Sequence, residues 1–352
     1  MLRLVTTLLV AAIALLAMAC KKEISTQNNG NGFMPFKKPT NFPEPNYDLA
    51  QYPVTEAGFM LGRRLFYDGL LSRNGTISCG SCHEQGSAFT HHGHDISHGI
   101  DDRLGRRNSP PLMNLAWHKE FMWDGGVNHL DLQPIAPITA HEEMDEDLGN
   151  VLQKLRNHPA YPTLFKAAYG NDSITTSRFL KALSQFMNML ISDNSKYDKV
   201  MRGEGGTSFT QEEQEGYALF KEHCAACHTE PLFTNLTYAD NGLGATPNDD
   251  KGRYEITLRP EDLYTFKIPS LRNSMLTAPY MHNGSIRNMD GVLEHYTTGL
   301  QASPNLHPLL KNPATGQPQP IALNATQKQQ LKAFLNTLSD EAFIRNKIFS
   351  EP

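Results

Sequence analysis

Four of the five cysteines stand in two copies of one motif, Cys79-Gly80-Ser81-Cys82-His83 and Cys224-Ala225-Ala226-Cys227-His228. Two thiols with two residues between them suit three kinds of chemistry. They cycle as a redox dithiol, they supply half of a tetrahedral zinc site, or they add across the two vinyl groups of a haem. Only the third uses the histidine that follows each pair, which then reaches the iron as proximal ligand. A dithiol leaves both histidines unexplained. A zinc site needs the four thiols to converge, yet the motifs lie far apart in the chain and each carries its own histidine. The expected cofactor set is therefore two covalent c-type haems. One is held by Cys79, Cys82 and His83, the other by Cys224, Cys227 and His228.

The elements that position these motifs repeat as well. Gly62-Arg63-Arg64-Leu65-Phe66 precedes the first motif and Gly216-Tyr217-Ala218-Leu219-Phe220 precedes the second, both G-x-x-L-F. Glycine and phenylalanine four apart share a helix face, where the glycine admits a second helix and the phenylalanine packs on the haem edge. Thr210-Gln211-Glu212-Glu213 is a capping box for the second helix, and Thr55-Glu56 opens the first. The first copy carries a longer insertion between Phe66 and Cys79. Phe179, Leu180, Leu183, Phe186, Met187, Leu190 and Ile191 form one face of a helix starting near Thr176. Leu148, Val151, Leu152 and Leu155 mark a shorter helix. Thr326 to Gln329 caps a last one with Leu331, Phe334, Leu335 and Leu338 inward. No long alternating strand pattern occurs, and the polar stretches around 85–110, 230–265 and 300–322 read as loops. The expected fold is mainly α, with two cytochrome c-type domains that each hold one haem. The N-terminal domain spans 51–200 and the C-terminal domain 201–322, and the segment 323–352 packs back on the N-terminal domain.

The N-terminus reads as a targeting segment. Leu4 to Ala19 is uncharged and mostly apolar, shorter than the roughly 20 residues a spanning helix needs. Ala17-Met18-Ala19-Cys20 resembles a bacterial lipobox, with Met18 where a small residue is usual. Residues 1–19 are thus expected to be a signal peptide and Cys20 the lipidated first residue of an exported, periplasmic protein that touches the membrane only through that anchor. Residues 20–50, rich in Asn and Gly and then in Pro, read as a flexible linker that adds little to the core. A net charge of −5 argues against nucleic acid as a partner.

Three further segments carry a resemblance. Gly105-Arg106-Arg107-Asn108-Ser109-Pro110, Phe121-Met122-Trp123-Asp124-Gly125 and Thr277-Ala278-Pro279-Tyr280-Met281-His282-Asn283-Gly284, together with the two haem motifs, resemble the bacterial dihaem cytochrome c peroxidase family. The likeness runs from about residue 50 to 340. It implies that the N-terminal haem is peroxidatic, with His83 proximal and a mobile-loop histidine as distal ligand, for which His98 of His98-Gly99 stands in the matching place. His91, His92 and His94 lie in the same loop. It implies Gln133 and Glu143 as distal-pocket residues handling the protons of peroxide, with Glu142 one position away. Trp123 would lie between the haems, and Asn108 with the carbonyls of Thr277 and Pro279 would bind one Ca²⁺. The family arginine after W-D-G is Gly126 here.

The second haem departs from the peroxidases. Where they place an axial methionine, this chain has Tyr296, similar to the dihaem enzymes that mature a tryptophan-derived quinone cofactor in another protein. Met275, Met281 and Met289 are other candidate ligands. Three functions follow from the resemblance. The first is peroxidase chemistry, with electrons from a small cytochrome c or cupredoxin entering at the C-terminal haem. The second is oxidation of an organic or protein substrate through high-valent iron, and the third is electron carriage without catalysis. The family also implies a homodimer.

Overall fold

Two glycines set the framework. In the computed structural model, which describes residues 32–244 and 249–352, Gly62 lies on helix α1 (Glu56–Tyr67) against helix α2 (Thr176–Asn188). A Cβ at Gly62 would sit 1.9 Å from the Ala182 carbonyl oxygen and 3.1 Å from Phe186 Cβ. Gly216 lies on helix α3 (Gln211–His223) against helix α4 (Ala325–Asn336), where a Cβ would sit 1.9 Å from the Gln330 carbonyl oxygen and 2.9 Å from Phe334 Cβ. The repeat therefore extends beyond G-x-x-L-F to a partner helix whose phenylalanine stands one turn past the contact. The phenylalanines close each pair, Phe66–Phe186 at 5.0 Å and Phe220–Phe334 at 5.1 Å between ring centroids. These rings are fully buried, and burial of each stabilises by roughly 1.5–3 kcal/mol.

The starts of these helices follow from their sequences. Thr55 caps α1 by accepting from the Gly58 N–H, and Thr210 and Glu213 form the reciprocal capping box of α3. Thr175 caps α2, and Asn324 with Gln327 caps α4 two residues earlier than its threonine suggests. Shorter helices fill the gaps, and the only sheet among the described residues is β1 (Tyr238–Ala239) paired antiparallel with β2 (Phe266–Lys267). The fold is mostly helical with little sheet.

Two expectations change. The Pro-rich segment belongs to the core from Pro35 onward, in one unit with the rest of the chain to Pro352. Phe42 is buried edge-on against Trp117 at 5.0 Å, and Arg272 lies over its ring at 4.8 Å. The Asn46 and Tyr47 N–H groups both donate to the Ala116 carbonyl. An extended strap buries isolated aromatics without periodicity, so composition alone reads it as a linker. Under it lies a fully buried bidentate ion pair, Arg272 to Asp198 at 2.7 and 2.8 Å. The other change concerns residues 323–352. Helix α4 packs on α3, beside the second haem motif, and only the tail beyond it reaches the first. There Phe343 meets Phe89 at 5.6 Å, and Tyr67 and Arg63 donate to the carbonyls of Phe349 and Ser350. Cys20 and the targeting segment lie outside the described residues. Among the described residues no helix is long and apolar enough to cross a membrane.

Candidate active site

Both haem motifs fold alike. Each opens a turn in which the histidine N–H bonds the carbonyl of the first cysteine, His83 to Cys79 at 3.0 Å and His228 to Cys224 at 2.9 Å. Each imidazole is then fixed through Nδ1, His83 to the Phe89 carbonyl at 2.8 Å and His228 to the carbonyls of Phe233 and Pro269 at 3.2 and 3.1 Å. Phe89 and Phe233 both hold the left-handed conformation, which turns those carbonyls back onto the ring. An Nδ1–H donated to the backbone leaves Nε2 as the free ligand atom. Burial lowers both histidines to about 4, so the neutral imidazole that binds iron is the form present at neutral pH.

The thiols argue against the dithiol alternative. Burial pushes Cys79, Cys82 and Cys224 up to about 12, and raises Cys227 too. A redox C-x-x-C depends on a lowered thiol pKa, which is the opposite shift. All four are free of disulfides. Paired neutral thiols beside a tethered imidazole fit thioether attachment of haem at both places.

A cavity of ≈ 320 Å³ opens on the first motif. Cys79, Cys82 and His83 line it together with Trp123, Gln133 and Glu143, so five expected site residues and the proximal ligand share one space. Glu143 is held through its main chain, whose carbonyl accepts from the Ile100 N–H at 2.7 Å. Gly99 makes that approach possible, because a Cβ there would lie 2.1 Å from the Glu142 carbonyl oxygen. Burial raises the Glu143 carboxyl above the ordinary glutamate range, and the exposed Glu142 charge raises it further. Gln133 approaches the Met122 sulfur at 3.8 Å.

His98 is not brought into this cavity. Its backbone carbonyl lies 3.7 Å from Cys82 Sγ, but its ring pairs with Asp102 at 2.9 Å and sits 4.5 Å from the His94 ring. His91 completes this cluster, stacked on His94 at 4.4 Å, and burial lowers it to about 4.

The three resemblance segments converge on one another. Arg107 pairs with Asp124 at 2.5 Å and with Asp250 at 2.6 Å. Trp123 Nε1 donates to the Asn108 carbonyl at 2.8 Å, and the Asn108 N–H donates to the His282 carbonyl at 2.7 Å. Asn108 turns its amide nitrogen to the Asp95 carbonyl at 3.0 Å, while Thr277 bonds back to Ser274. The Trp123 carbonyl accepts from the Lys267 N–H at 2.7 Å, and two residues on Pro269 accepts from His228. Main chain 267–269 thus links the wall of the first cavity to the second motif.

Tyr296 faces the second motif. It lies in a π-helical turn, His295–Gly299, that continues the short helix Met289–Glu294, a distortion that re-aims side chains at functional sites. Burial pushes its phenol up to about 12, a hydrogen bond from Asn241 opposes this, and Cys224 and Cys227 are near enough to add to the rise. Asn241 also donates to the Met281 sulfur at 3.3 Å. Burial therefore keeps the side chain a phenol, and a bound metal ion would favour the phenolate.

Residues 56–206 match the model of the family described as di-haem cytochrome c peroxidase. The Methylamine utilization protein MauG of Methylorubrum extorquens is 32% identical over 315 residues, covering 87% of this chain and 84% of that protein. The chain belongs to the di-haem cytochrome c peroxidase family. It is an oxidoreductase of this peroxide-reducing family, and two c-type haems are its cofactors. The cytochrome c551 peroxidase of Nitrosomonas europaea is 34% identical over 238 residues, 66% of this chain and 71% of that one. A solved structure of a MauG-like protein associated with microbial copper homeostasis is 32% identical, with a TM-score of 0.78 over 91% of this chain and 99% of the other. The family thus includes relatives named as peroxidases and relatives named for MauG.

The sequence alone missed His118 and Lys267, which also line the cavity, and Asn241 beside Tyr296. Lys267 stands in a stretch with no motif, and its signal is burial, which composition does not carry.

Proposed function

We propose that this protein reduces hydrogen peroxide to water at the haem of Cys79 and Cys82, with electrons delivered through the haem of Cys224 and Cys227. The observation that carries the reading is the meeting of Glu143 and Gln133 with His83 in one cavity. When bound, the haem supplies the redox chemistry that breaks the oxygen–oxygen bond. The chain supplies the proton path. Glu143 takes a proton from the peroxide oxygen nearer His83 and returns it to the far oxygen, which leaves as water. Its raised pKa suits the first act, since burial makes the carboxylate a stronger base than an exposed glutamate. Gln133 offers an amide that orients the peroxide. Two electrons and two further protons complete two waters per peroxide.

His98 is bonded to Asp102 in this conformation, and as a distal ligand it would have to turn away from that carboxylate. Trp123 is the proposed relay between the haems, because its carbonyl and residues 267–269 connect to the His228 imidazole. The electron donor is a small soluble cytochrome c or cupredoxin. Export fits, since c-type haem is attached outside the cytoplasm, and we assign the protein to the periplasm, tethered through Cys20. A homodimer rests on the family resemblance. Calcium at Asn108 and the carbonyls of Thr277 and Pro279 rests on the family resemblance, and no step requires it.

Tyr296 favours a second reading. A tyrosine aimed at Cys224 and Cys227, and the likeness to MauG-named relatives, support oxidation of an organic or protein substrate. Peroxide turnover with reduced cytochrome separates the two. Turnover abolished in Glu143→Gln with both haems attached supports the peroxidase. Peroxide consumption that proceeds only with an organic or protein reductant supports the second reading.

A further inference from the structure

We propose that Lys267 binds a propionate carboxylate of the haem attached at Cys79 and Cys82, with His118 as a second donor beside it. The inference rests on haem filling this cavity and not on the reaction assigned to it.

Three long cationic side chains line the cavity, Arg106, Arg107 and Lys267. Two are matched by the protein. Arg107 is paired with Asp124 and Asp250, and Arg106 with Glu255 at 3.1 Å. Lys267 is buried, with 8% of its surface exposed, and among the described residues no carboxylate lies within ion-pair distance of it. Its ammonium bonds only neutral acceptors, the Glu120 carbonyl and His118 Nδ1 at 3.3 Å. The Glu120 carboxylate is engaged by Tyr238 at 2.7 Å and Arg253 at 3.3 Å. An ammonium has three donors, so one remains after these two bonds. A buried charge is retained only when an opposite charge or hydrogen bonds compensate it. A haem entering this cavity brings two carboxylates, which face the same requirement.

The amine is aimed by rigid backbone. Lys267 sits on β2, opposite Tyr238 of β1, and its N–H is bonded to the Trp123 carbonyl. His118 adds to the site. Lysine only donates, so His118 Nδ1 is the acceptor and its proton is on Nε2. That tautomer gives the cavity a neutral N–H donor next to the ammonium. Burial and Lys267 both keep His118 uncharged.

The test is a spectroelectrochemical titration of both haems in the holoprotein with Lys267→Met and Lys267→Arg, after confirming two covalent haems per chain. A cation on a propionate favours the reduced haem. In Lys267→Met, the reduced-to-oxidised ratio of the cavity haem at fixed ambient potential should fall by about tenfold, a shift of about 59 mV for one electron. The other haem should move less, and Lys267→Arg should restore the wild-type value. An unchanged potential in a fully loaded Lys267→Met, or equal falls in both variants, overturns the proposal. Should Lys267→Met fail to take up haem, resonance Raman spectra of Lys267→Gln and wild type decide. A displaced propionate bending mode supports the contact and an identical one overturns it. Peroxide turnover is not the readout, so failure here and failure of the peroxidase reading are separate outcomes.

Discussion

Glu143→Gln keeps the shape of the side chain and removes its ability to accept a proton. General acid–base catalysis by a positioned side chain contributes typically 10²–10⁴-fold, or about 2.7–5.5 kcal/mol of barrier, and the loss in kcat/KM for peroxide should fall in that range. The structure also predicts the pH dependence. The first proton transfer needs the carboxylate, so kcat/KM should fall as pH drops through the Glu143 pKa. That pKa lies above the ordinary glutamate value, first because the side chain is buried and second because Glu142 is charged beside it. Glu142→Gln removes the second cause. The acid limb should then move to lower pH while the plateau rate stays near wild type. The assay is stopped-flow oxidation of reduced cytochrome c at limiting peroxide, across pH, with both variants carrying two haems. Wild-type kcat/KM in Glu143→Gln would refute the reasoning. So would a loss in Glu142→Gln as large as in Glu143→Gln, since that would shift the role by one residue.

Gly62→Ala and Gly216→Ala each place a methyl 1.9 Å from a carbonyl oxygen of the partner helix, so the helices must part. Each should destabilise by about 1–3 kcal/mol or more, read as a lower denaturant midpoint, whereas Gly86→Ala, which meets nothing, should cost little. Trp123→Phe leaves the Asn108 carbonyl without its indole donor, at about 1 kcal/mol, and should slow electron transfer between the haems in flash-reduction experiments while haem content stays at two. Tyr296→Met should raise the potential of the Cys224–Cys227 haem and replace its ferric low-temperature spin-resonance signature, because thioether ligation favours ferrous iron more than phenolate does.

The haem motifs and the helix pairs were legible because their chemistry is local. A C-x-x-C-H turn closes on itself, a capping box spans four residues, and a glycine with a phenylalanine one turn on defines a face. The meeting of Cys79, Gln133 and Glu143 was legible only through resemblance, since nothing local links three loops. The strap around Phe42 was not legible at all. Its aromatics are spaced by the path of an extended chain over Trp117, and period-based reading sees only prolines and polar residues. Lys267 escaped for a related reason, because a lysine in a short strand reads as solvated until the surrounding segments 118–124 and 238–239 cover it. The split between α4 and the tail was not legible, because Leu338 and Phe343 lie only a few residues apart and nothing local shows that α4 packs on α3 while Phe343 meets Phe89.

The central claim is that two covalent haems and the Glu143 cavity make a peroxide reductase. The most direct measurement is peroxide-dependent oxidation of a reduced small cytochrome by the purified protein, with haem stoichiometry determined on the same sample. Two haems per chain and two cytochromes oxidised per peroxide consumed are expected. Two attached haems with no peroxide-dependent oxidation, in either the fully oxidised or the half-reduced protein, would contradict it.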